Sequence, residues 1–373
     1  MKFKPNVFSL LALTWTLVGA FGAFTPALKS PTALGWFGLG LLSFNLVLAL
    51  VGNFWTTVLA VPAGLLGSFI AVQTLAGLDA VGSWGYWGLF WGFLLAALFS
   101  VGRVSLSETD VNEPMLKQRV RALLPPLVVP FALLLLWQGL VTGYGVPKGI
   151  FPSVGDVWTQ LNQSLPVLLN DAYVTFVKEV FFGLALGLVA GFLVGVELAF
   201  VPFLQKGFLP LAAAFGAVPI VGLAPVLGRA FGVDWESKAA VVVVVTFFPV
   251  VLNTVQGLTQ VDEIKLELLR AYAAKPVHVF MKLRLPNALP YLFNALKLAA
   301  VLSVISVIVA EFLIPGPPNG LGQRISLSAR QGAFDLVFAA IFVSSLISVV
   351  IYGLLSSLER NLTGWHPSFR EGA

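Results

Sequence analysis

The feature that most constrains this sequence is a succession of apolar runs, each about as long as a membrane-spanning helix. A bilayer's hydrocarbon core is crossed by a helix of about 20 mostly apolar residues. Of the 373 residues, 58% are hydrophobic and 10% are charged, whereas soluble domains carry about 25% charged residues. The composition therefore predicts an all-α polytopic membrane protein, and it excludes a disordered chain, which would be poor in apolar residues.

About ten transmembrane helices are predicted. They are Val7–Phe24, Leu34–Val51, Trp55–Leu75, Gly82–Val101, Ala122–Val141, Ala172–Phe200, Phe208–Phe231, Ala239–Gly257, Tyr291–Ile314 and Phe334–Leu358. Pro62 interrupts the third helix, and Pro219 and Pro225 interrupt the seventh, which membrane helices tolerate when neighbours satisfy the freed carbonyl groups. The first run follows Lys2 and Lys4 in the manner of a signal peptide, but further runs follow at once, so we interpret it as a membrane anchor.

The Lys and Arg residues predict the orientation. They concentrate at the N-terminus, after the fourth span and after the eighth span, which all lie on one side of a ten-span chain. The positive-inside rule makes this side cytoplasmic and places both termini there. The net charge of +5 is explained by these loops, and no basic stripe interleaved with aromatic residues indicates a nucleic-acid partner.

The polar stretch 105–121 is the predicted domain boundary. It separates a four-span N-terminal membrane extension, residues 1–104, from a six-span domain, residues 122–360, which a tail of residues 361–373 follows. The extension is almost free of charge within its spans, which favours lipid contact and helix packing over an ion pathway.

The sequence offers no constellation for catalysis or metal binding. There are no cysteines, and the two histidines, His278 and His366, are far apart. No G-x-x-x-x-G-K-[S/T] phosphate loop occurs. We therefore expect no enzyme activity, no metal site and no cofactor bound by this chain.

The segment Val261–Pro286, VDEIKLELLRAYAAKPVHVFMKLRLP, is too charged to span a membrane. Asp262 and Glu263 suit a helix N-terminus, where the helix dipole favours negative charge. Leucines and alanines recur at helical spacing and predict one apolar face, formed by Leu266, Leu269 and Ala273. Glu267 can pair with Arg270 one turn later.

Pro276 predicts a bend, because proline interrupts a helix and pushes Lys275 out of the α conformation. A second short helix should present Val277, Phe280 and Leu283 on one side, and Pro286 should end it. The predicted helix–turn–helix suits docking in a groove of a partner protein. A helix lying on the lipid surface explains the same pattern, and physical reasoning leaves both interpretations open.

This segment resembles the coupling loop of binding-protein-dependent ABC importers, which reads E-A-A, three residues, G, nine residues, I-x-L-P. Glu267, Leu285 and Pro286 match the pattern. Departures occur at Leu268, Leu269 and Ala273, and Leu283 takes the Ile position. The resemblance implies a loop that inserts into a cleft of an ATPase subunit. The implied coupling residues are Glu267, Arg270, Ala273, Ala274, Pro276, Leu283, Leu285 and Pro286.

Further pieces over about residues 120–360 resemble the nitrate/sulfonate/taurine-type permease branch. They are Phe151–Ser153, Thr175, the glycines 183, 187, 191 and 195, Pro219, Pro225, Phe247–Val250, Asn253–Thr254, Leu289–Tyr291, Ala310–Phe312 and Asn319–Gly322. The glycine spacing itself indicates close helix packing. The bend at Tyr272–Ala274 is most similar to the subgroup for thiamine-pyrimidine or riboflavin uptake.

The resemblance implies a six-helix permease core that forms the path for a small polar solute. Its implied partners are a pair of ABC ATPase subunits that bind ATP and Mg, an external solute-binding protein, a second copy of the chain and the lipid of a bacterial inner membrane. We expect the path or its gate near Pro219, Pro225, Asn253 and Glu311. The alternative is an ion-coupled secondary transporter, which would need paired carboxylates or histidines at mid-membrane, and the sequence pattern shows neither.

Overall fold

The structure, a computed structural model, describes residues 54–76, 82, 84–105, 113–215, 218–316 and 319–364. Every regular element within these ranges is a helix, which confirms the predicted all-α class. The predicted spans Val7–Phe24 and Leu34–Val51 lie outside the described residues, as does the predicted tail after residue 364.

The described helices follow one another with short connections. They are α1 (Phe54–Ala76), α2 (Trp84–Ser105), α3 (Met115–Gly143), α4 (Val154–Ala172), α5 (Phe182–Phe200), α6 (Pro202–Phe215), α7 (Ile220–Phe231), α8 (Trp235–Thr259), α9 (Glu263–Ala271), α10 (Pro276–Val279), α11 (Leu285–Leu313), α12 (Leu321–Arg330) and α13 (Phe334–Thr363). A first π-helical segment, Tyr173–Phe181, joins α4 to α5. A second, Phe280–Arg284, joins α10 to α11.

Seven helical stretches of the described chain are long and apolar enough to cross a membrane, and the bent pair α6 and α7 is an eighth candidate. These eight correspond in order to the third to tenth predicted spans. The prediction of Phe208–Phe231 as one helix was wrong, because α6 and α7 meet at 100°. Pro219 lies directly before α7 with an extended backbone, ψ 119°, and its missing N–H cannot continue the helical ladder.

The sixth predicted span belongs to a longer rod. Together α4, the first π-helical segment and α5 form one helical stretch of 47 residues. At 1.5 Å per residue it is about 70 Å long, which is more than twice the ~30 Å apolar core of a bilayer. The polar sequence of α4, VGDVWTQLNQSLPVLLNDA, places the membrane-crossing part in the first π-helical segment and α5.

The packing divides the chain into two compact units, residues 1–159 and 160–373. The helix α3, which sequence resemblance placed in the six-span domain, packs on α1 and α2 in the first unit. The division at residues 105–121 was predicted from the polar composition of that stretch, and it stays a prediction.

Glycines and aromatic rings hold the first unit together. A Cβ atom at Gly64 would lie 2.8 Å from the Phe93 carbonyl oxygen, and one at Gly139 would lie 2.3 Å from the Phe90 ring. The Tyr86 hydroxyl donates a hydrogen bond of 2.7 Å to the Gly139 carbonyl. The described part of the N-terminal extension therefore packs closely, as its Gly and aromatic content predicted.

In the second unit α8 lies between α5 and α11. The contact with α5 uses the predicted ladder of glycines 183, 187, 191 and 195, all of which are buried. A Cβ at Gly183 would lie 2.6 Å from the Ala239 carbonyl oxygen, and one at Gly191 would lie 2.8 Å from that of Phe247. The ladder therefore lets two backbones approach closely, which confirms its interpretation as a packing device.

Candidate functional site: a helical loop and a buried carboxyl cluster

The first arm of the Glu267 loop, defined as residues 261–286, is α9. The Asp262 carboxylate caps this helix by accepting a 3.0 Å hydrogen bond from the Ile264 N–H, as the acidic start predicted. Glu267 and Arg270 are both exposed. The described residues show no ion pair between them, so both side chains remain available to a partner.

The end of α9 explains why the motif has a small residue there. The Ala274 N–H donates to the Leu269 carbonyl at 3.0 Å, and the Ala273 N–H donates to the Arg270 carbonyl at 2.9 Å, which together form a Schellman motif. Ala273 has φ 51° and is the one non-glycine residue of the described chain with positive φ. The left-handed conformation costs an L-residue about 1–2 kcal/mol, so glycine is the usual occupant.

The second arm begins as predicted and ends differently. Lys275 is extended, with ψ 147°, and Pro276 occupies the first turn of α10. The predicted end at Pro286 was wrong, because the helix continues without a break from Pro276 to Leu313. The second π-helical segment shifts the backbone pairing, with the Leu285 N–H bonded to the Phe280 carbonyl. Pro286 is the second residue after this π-helical segment, and the helix continues past it although proline donates no N–H.

The apolar face that the loop presents to solvent matches the predicted one only in part, since Ala273 and Val277 are exposed as predicted. Leu266, Leu269, Phe280 and Leu283 are only partly exposed, because the loop turns this side toward its own protein. The Phe280 ring, for example, lies 5.9 Å from the Phe200 ring of α5. The exposed ridge consists of Ile264 (78% exposed), Leu268 (56%), Tyr272 (78%), Val277 (73%) and Met281 (55%).

Polar side chains at the C-terminal end of the loop donate hydrogen bonds to the last carbonyl groups of α8. Arg284 donates to the Leu258 carbonyl at 2.9 Å. Asn287 donates to the carbonyls of Gly257 and Gln260, both at 2.9 Å. These are carbonyl groups of the last helical turn, which lack partners within the helix. Sequence reasoning did not single out Arg284 and Asn287, although polar residues directly before a span were a usable signal.

A second polar site surrounds Glu311 near the opposite end of α11. Glu311 is 3% exposed. Its Oε1 accepts a 2.9 Å hydrogen bond from the Thr175 hydroxyl, and its Oε2 accepts a 2.6 Å bond from the Gly322 N–H. The Leu321 N–H donates to Thr175 Oγ1 at 2.9 Å. Glu311 and Thr175 therefore cap the amino terminus of α12, where unpaired N–H groups and the helix dipole favour negative charge.

Glycines are required at this cap because the carboxylate occupies the space of their side chains. A Cβ at Gly320 would lie 1.9 Å from Glu311 Oε1, and one at Gly322 would lie 2.5 Å from Glu311 Oε2. Gly320 also has φ 146°, which side chains rarely adopt. The family-like segments Ala310–Phe312 and Asn319–Gly322 are therefore in direct contact, through Glu311 of the first and the glycines of the second.

Four further charged side chains complete what we call the carboxyl cluster, defined as Asp171, Thr175, Glu179, Lys238, Glu311 and Arg324. Arg324 bonds both Asp171 oxygens, at 2.7 and 3.3 Å. Lys238, 3% exposed, donates to the carbonyls of Val233 and Asp234. Glu179 is 1% exposed and lies one helical turn after Thr175, and its Oε2 has no hydrogen-bond partner among the described residues.

Comparison with known proteins places both sites in one family. The model of the binding-protein-dependent transport system inner membrane component family matches residues 183–364, which hold the loop and three of the six cluster residues, Lys238, Glu311 and Arg324. The riboflavin transport system permease protein RibX of Chloroflexus aurantiacus is 30% identical over 273 residues, covering 71% of this chain and 99% of the relative. The chain belongs to this family of ABC importer permeases.

Other relatives support the predicted branch. The formylaminopyrimidine transport permease protein ThiX of Halalkalibacterium halodurans is 29% identical over 250 residues, 67% of this chain and 98% of the relative. The taurine transport system permease protein TauC of Escherichia coli is 25% identical over 244 residues, 65% of this chain and 82% of the relative. The permease is thus a multi-pass membrane transport subunit of the nitrate/sulfonate/taurine-type branch.

The permease does not bring its four predicted path residues together. Pro219 and Pro225 are exposed on and before α7, whereas Glu311 is buried. Ala224, the neighbour of Pro225, packs with Ala310 and Ile314, so α7 does approach the Glu311 end. Asn253 lies toward the loop end of α8, where it accepts a 3.3 Å hydrogen bond from Asn294. Their role in the path stays a prediction.

Sequence reasoning missed most of the cluster. It did not connect Asp171, Glu179, Lys238 or Arg324 with Glu311. A signal was present, since Asp171, Thr175 and Glu179 recur every four residues and therefore share one helix face. Sequence reasoning also did not identify the 2.6 Å ion pair of Lys297 with the largely buried Glu359 of α13.

Proposed function

We propose that this permease subunit dimerises with a second copy and conducts a small polar solute inward, driven by a pair of ATPase subunits that dock on the Glu267 loop. The observation that carries the proposal is the exposed apolar ridge on a rigidly anchored loop. Five large apolar side chains face solvent there, while Arg284 and Asn287 fix the loop to α8. A loop built in this way binds a partner and transmits its movement to the helices.

Charge surrounds the ridge in the manner of a protein interface. Glu267, Arg270 and Lys275 are exposed beside it, and charged rims around apolar anchors are typical of binding surfaces. The lipid-surface alternative suits this loop less well, because Glu263 and Glu267 lie on the same arm as the ridge and anionic headgroups disfavour acidic side chains. The loop side is then cytoplasmic, as the distribution of Lys and Arg predicted, with ATP and Mg bound by the partner.

The relatives support a small polar solute delivered by an external binding protein. Their names specify riboflavin, formylaminopyrimidine and taurine. The two with the higher identity carry vitamin-related, ring-containing solutes, which favours that subgroup for this permease as well. A bacterial inner membrane is the matching location.

Co-purification with a co-expressed ABC ATPase subunit tests the docking role. Replacing Glu267 by Arg and Leu268 by Glu together should lower ATPase recovery at least about tenfold, since interface anchors each contribute about 2 kcal/mol or more. Glu263→Arg is the matched control, because Glu263 is exposed on the same helix but one turn earlier, and recovery should change less than about twofold. Undiminished recovery with the double variant would refute docking through this loop.

One observation favours the second candidate, an ion-coupled secondary transporter. Glu179 and Glu311 are two buried carboxyl groups of the kind that such a mechanism needs, and sequence reasoning did not connect them. Glu311, however, is occupied by the Thr175 hydroxyl and the Gly322 N–H, as suits a structural cap. Uptake that continues after ATP depletion but stops when the ion gradient is dissipated would establish this alternative instead.

A further inference from the structure

The exposed faces of the second unit differ in chemistry from helix to helix. On α13 one stripe at four-residue spacing is exposed and entirely apolar, as suits contact with lipid chains. It consists of Leu346, Val350, Leu354 and Leu358. Where the loop ends of α8 and α11 meet, polar side chains reach the surface instead. We call these the polar patch, defined as Asn253, Gln256, Gln260, Tyr291 and Asn294.

The polar patch is a seam between two antiparallel helices. Asn294 Nδ2 donates to Asn253 Oδ1 at 3.3 Å, and the Tyr291 hydroxyl donates to Gln260 Oε1 at 3.0 Å. Residues three, four or seven apart share a helix face, so the patch occupies one face of each helix. Gln256 is exposed on this face, and its side chain forms no hydrogen bond among the described residues.

The asparagine pair lies deeper than the membrane surface. Gln260 is the C-cap of α8, and Asn253 precedes it by seven residues. This separation is about 10 Å along a helix at 1.5 Å per residue. Asn294 is exposed at the same level. Hydrocarbon offers no hydrogen-bond partner, so polar side chains at such depth face protein or a water-filled cavity.

The asparagine pair retains hydrogen-bonding capacity. Each amide nitrogen carries two hydrogens, and each amide oxygen has two lone pairs. Asn253 Nδ2 uses one hydrogen on the Pro249 carbonyl at 2.9 Å, and Asn294 Nδ2 uses one on Asn253. In the described part of the chain, Asn294 Oδ1 accepts no hydrogen bond. The pair therefore offers both donors and an acceptor to a molecule that reaches this face.

Charged side chains near the polar patch are engaged elsewhere. Lys297, one turn beyond Asn294, forms the 2.6 Å ion pair with Glu359, and Arg284 donates to the Leu258 carbonyl. An ionised molecule would exchange water for neutral amides, which is unfavourable without a counter-charge. A ring amide, with an N–H beside a C=O, complements the asparagine pair without any charge.

We propose that the polar patch binds the transported solute in a water-filled part of its path, and that this solute is an uncharged heterocycle with a ring amide. The inference rests on the proposed transport function, to which it adds a binding site and a solute class. Asn253 and Asn294 are the specificity-determining residues, because they supply the donors and the acceptor.

Cysteine accessibility tests whether water reaches the patch. The sequence contains no cysteine, so an introduced cysteine reports on its own surroundings. Full-length Asn294→Cys and the control Leu354→Cys are treated in lipid nanodiscs with a charged methanethiosulfonate reagent. Because the reactive thiolate forms in water and not in hydrocarbon, Asn294→Cys should react at least about tenfold faster. Equal rates, or a slower reaction at Asn294→Cys, would overturn the water-filled site.

Protection from the same reagent tests the solute class. Gln256→Cys is the reporter, because it leaves the asparagine pair intact. Riboflavin, an uncharged compound with a ring amide, should slow its labelling at least about twofold, the effect of half-occupancy. Taurine, a zwitterion with a sulfonate, should not slow it, and Asn294→Leu in the reporter should abolish protection by riboflavin. Protection by taurine, none by riboflavin, or protection that survives Asn294→Leu would overturn the assigned class.

These measurements use the permease without an ATPase, so their result is separate from the docking test on the Glu267 loop. Undiminished ATPase recovery together with fast labelling of Asn294→Cys would refute docking and support the water-filled site. Lowered ATPase recovery together with slow labelling would support docking and refute the polar patch as a solute site.

Discussion

The Glu267 loop and the carboxyl cluster lie toward opposite ends of α11, and their charged side chains differ in solvent exposure. In the loop, α9 contains no buried residue, and its charged side chains face solvent. In the cluster, Asp171, Glu179 and Glu311 are each at most 3% exposed. The difference separates a surface kept open for a partner from a polar core that fixes a short helix.

Stability measurements should therefore respond to the cluster and barely respond to the loop. Binding measurements should show the reverse, because exposed apolar anchors contribute to association and not to folding. The following predictions concern the Tm of the purified permease, ordered from the largest expected effect to the smallest.

Gly320→Ala should cause the largest loss. The added Cβ would lie 1.9 Å from Glu311 Oε1, at a backbone φ of 146°, so the variant must both displace the carboxylate and strain the backbone. We expect destabilisation of at least about 3 kcal/mol. Gly353→Ala is the control, since no atom lies within 4 Å of its added Cβ. Equal Tm values for the two variants would contradict the capping role of Glu311.

An Asp→Asn substitution should destabilise the protein more in the carboxyl cluster than in the Glu267 loop. Asp171→Asn removes a charge from the buried pair with Arg324 and should cost about 2–3 kcal/mol. Asp262→Asn weakens only the exposed 3.8 Å pair with Lys265, and asparagine caps a helix as well as aspartate does, so the cost should stay below about 0.5 kcal/mol. Unfolding curves in one detergent compare them, and a larger loss at Asp262 would reverse the distinction between the ends.

Ala273→Gly should have the smallest effect, with the opposite sign. Glycine relieves the left-handed strain at φ 51° but increases the freedom of the unfolded chain, so we expect a gain of about 0.5–1 kcal/mol. Ala274→Gly, one residue later and without positive φ, should instead lose about 0.5 kcal/mol. Two changes of the same sign would show that the conformation of Ala273 is unimportant.

The sequence predicted the parts of the fold that depend on local pattern. Apolar runs gave the spans of the described chain, the glycine spacing gave the α5–α8 contact, and Pro276 gave the bend. The continuation of the helix through Pro286 was not predictable in this way, because it depends on a π-helical shift of backbone pairing that has no strong side-chain signature.

The sites were predictable to different degrees for a physical reason. The loop is one continuous segment, so its motif could be recognised, although the exposed side of the helix depends on packing against Phe200. The cluster joins residues 171–179, Lys238 and residues 311–324, which meet only after three long helices pack. The sequence showed only the shared helix face of Asp171, Thr175 and Glu179, and the distant partners of these side chains could not be recognised before the packing was known.

The uninterrupted helix from Pro276 to Leu313 has a mechanical consequence. Its 38 residues make a rod of roughly 55 Å at 1.5 Å per residue. Its base forms the second arm of the Glu267 loop, and its far end carries Glu311. A tilt of about 5° at the base would shift the far end by about 5 Å, a full helical pitch. This continuous helix therefore acts as a lever arm. Because the helix is long, a small tilt at the loop becomes a larger displacement at the amino terminus of α12.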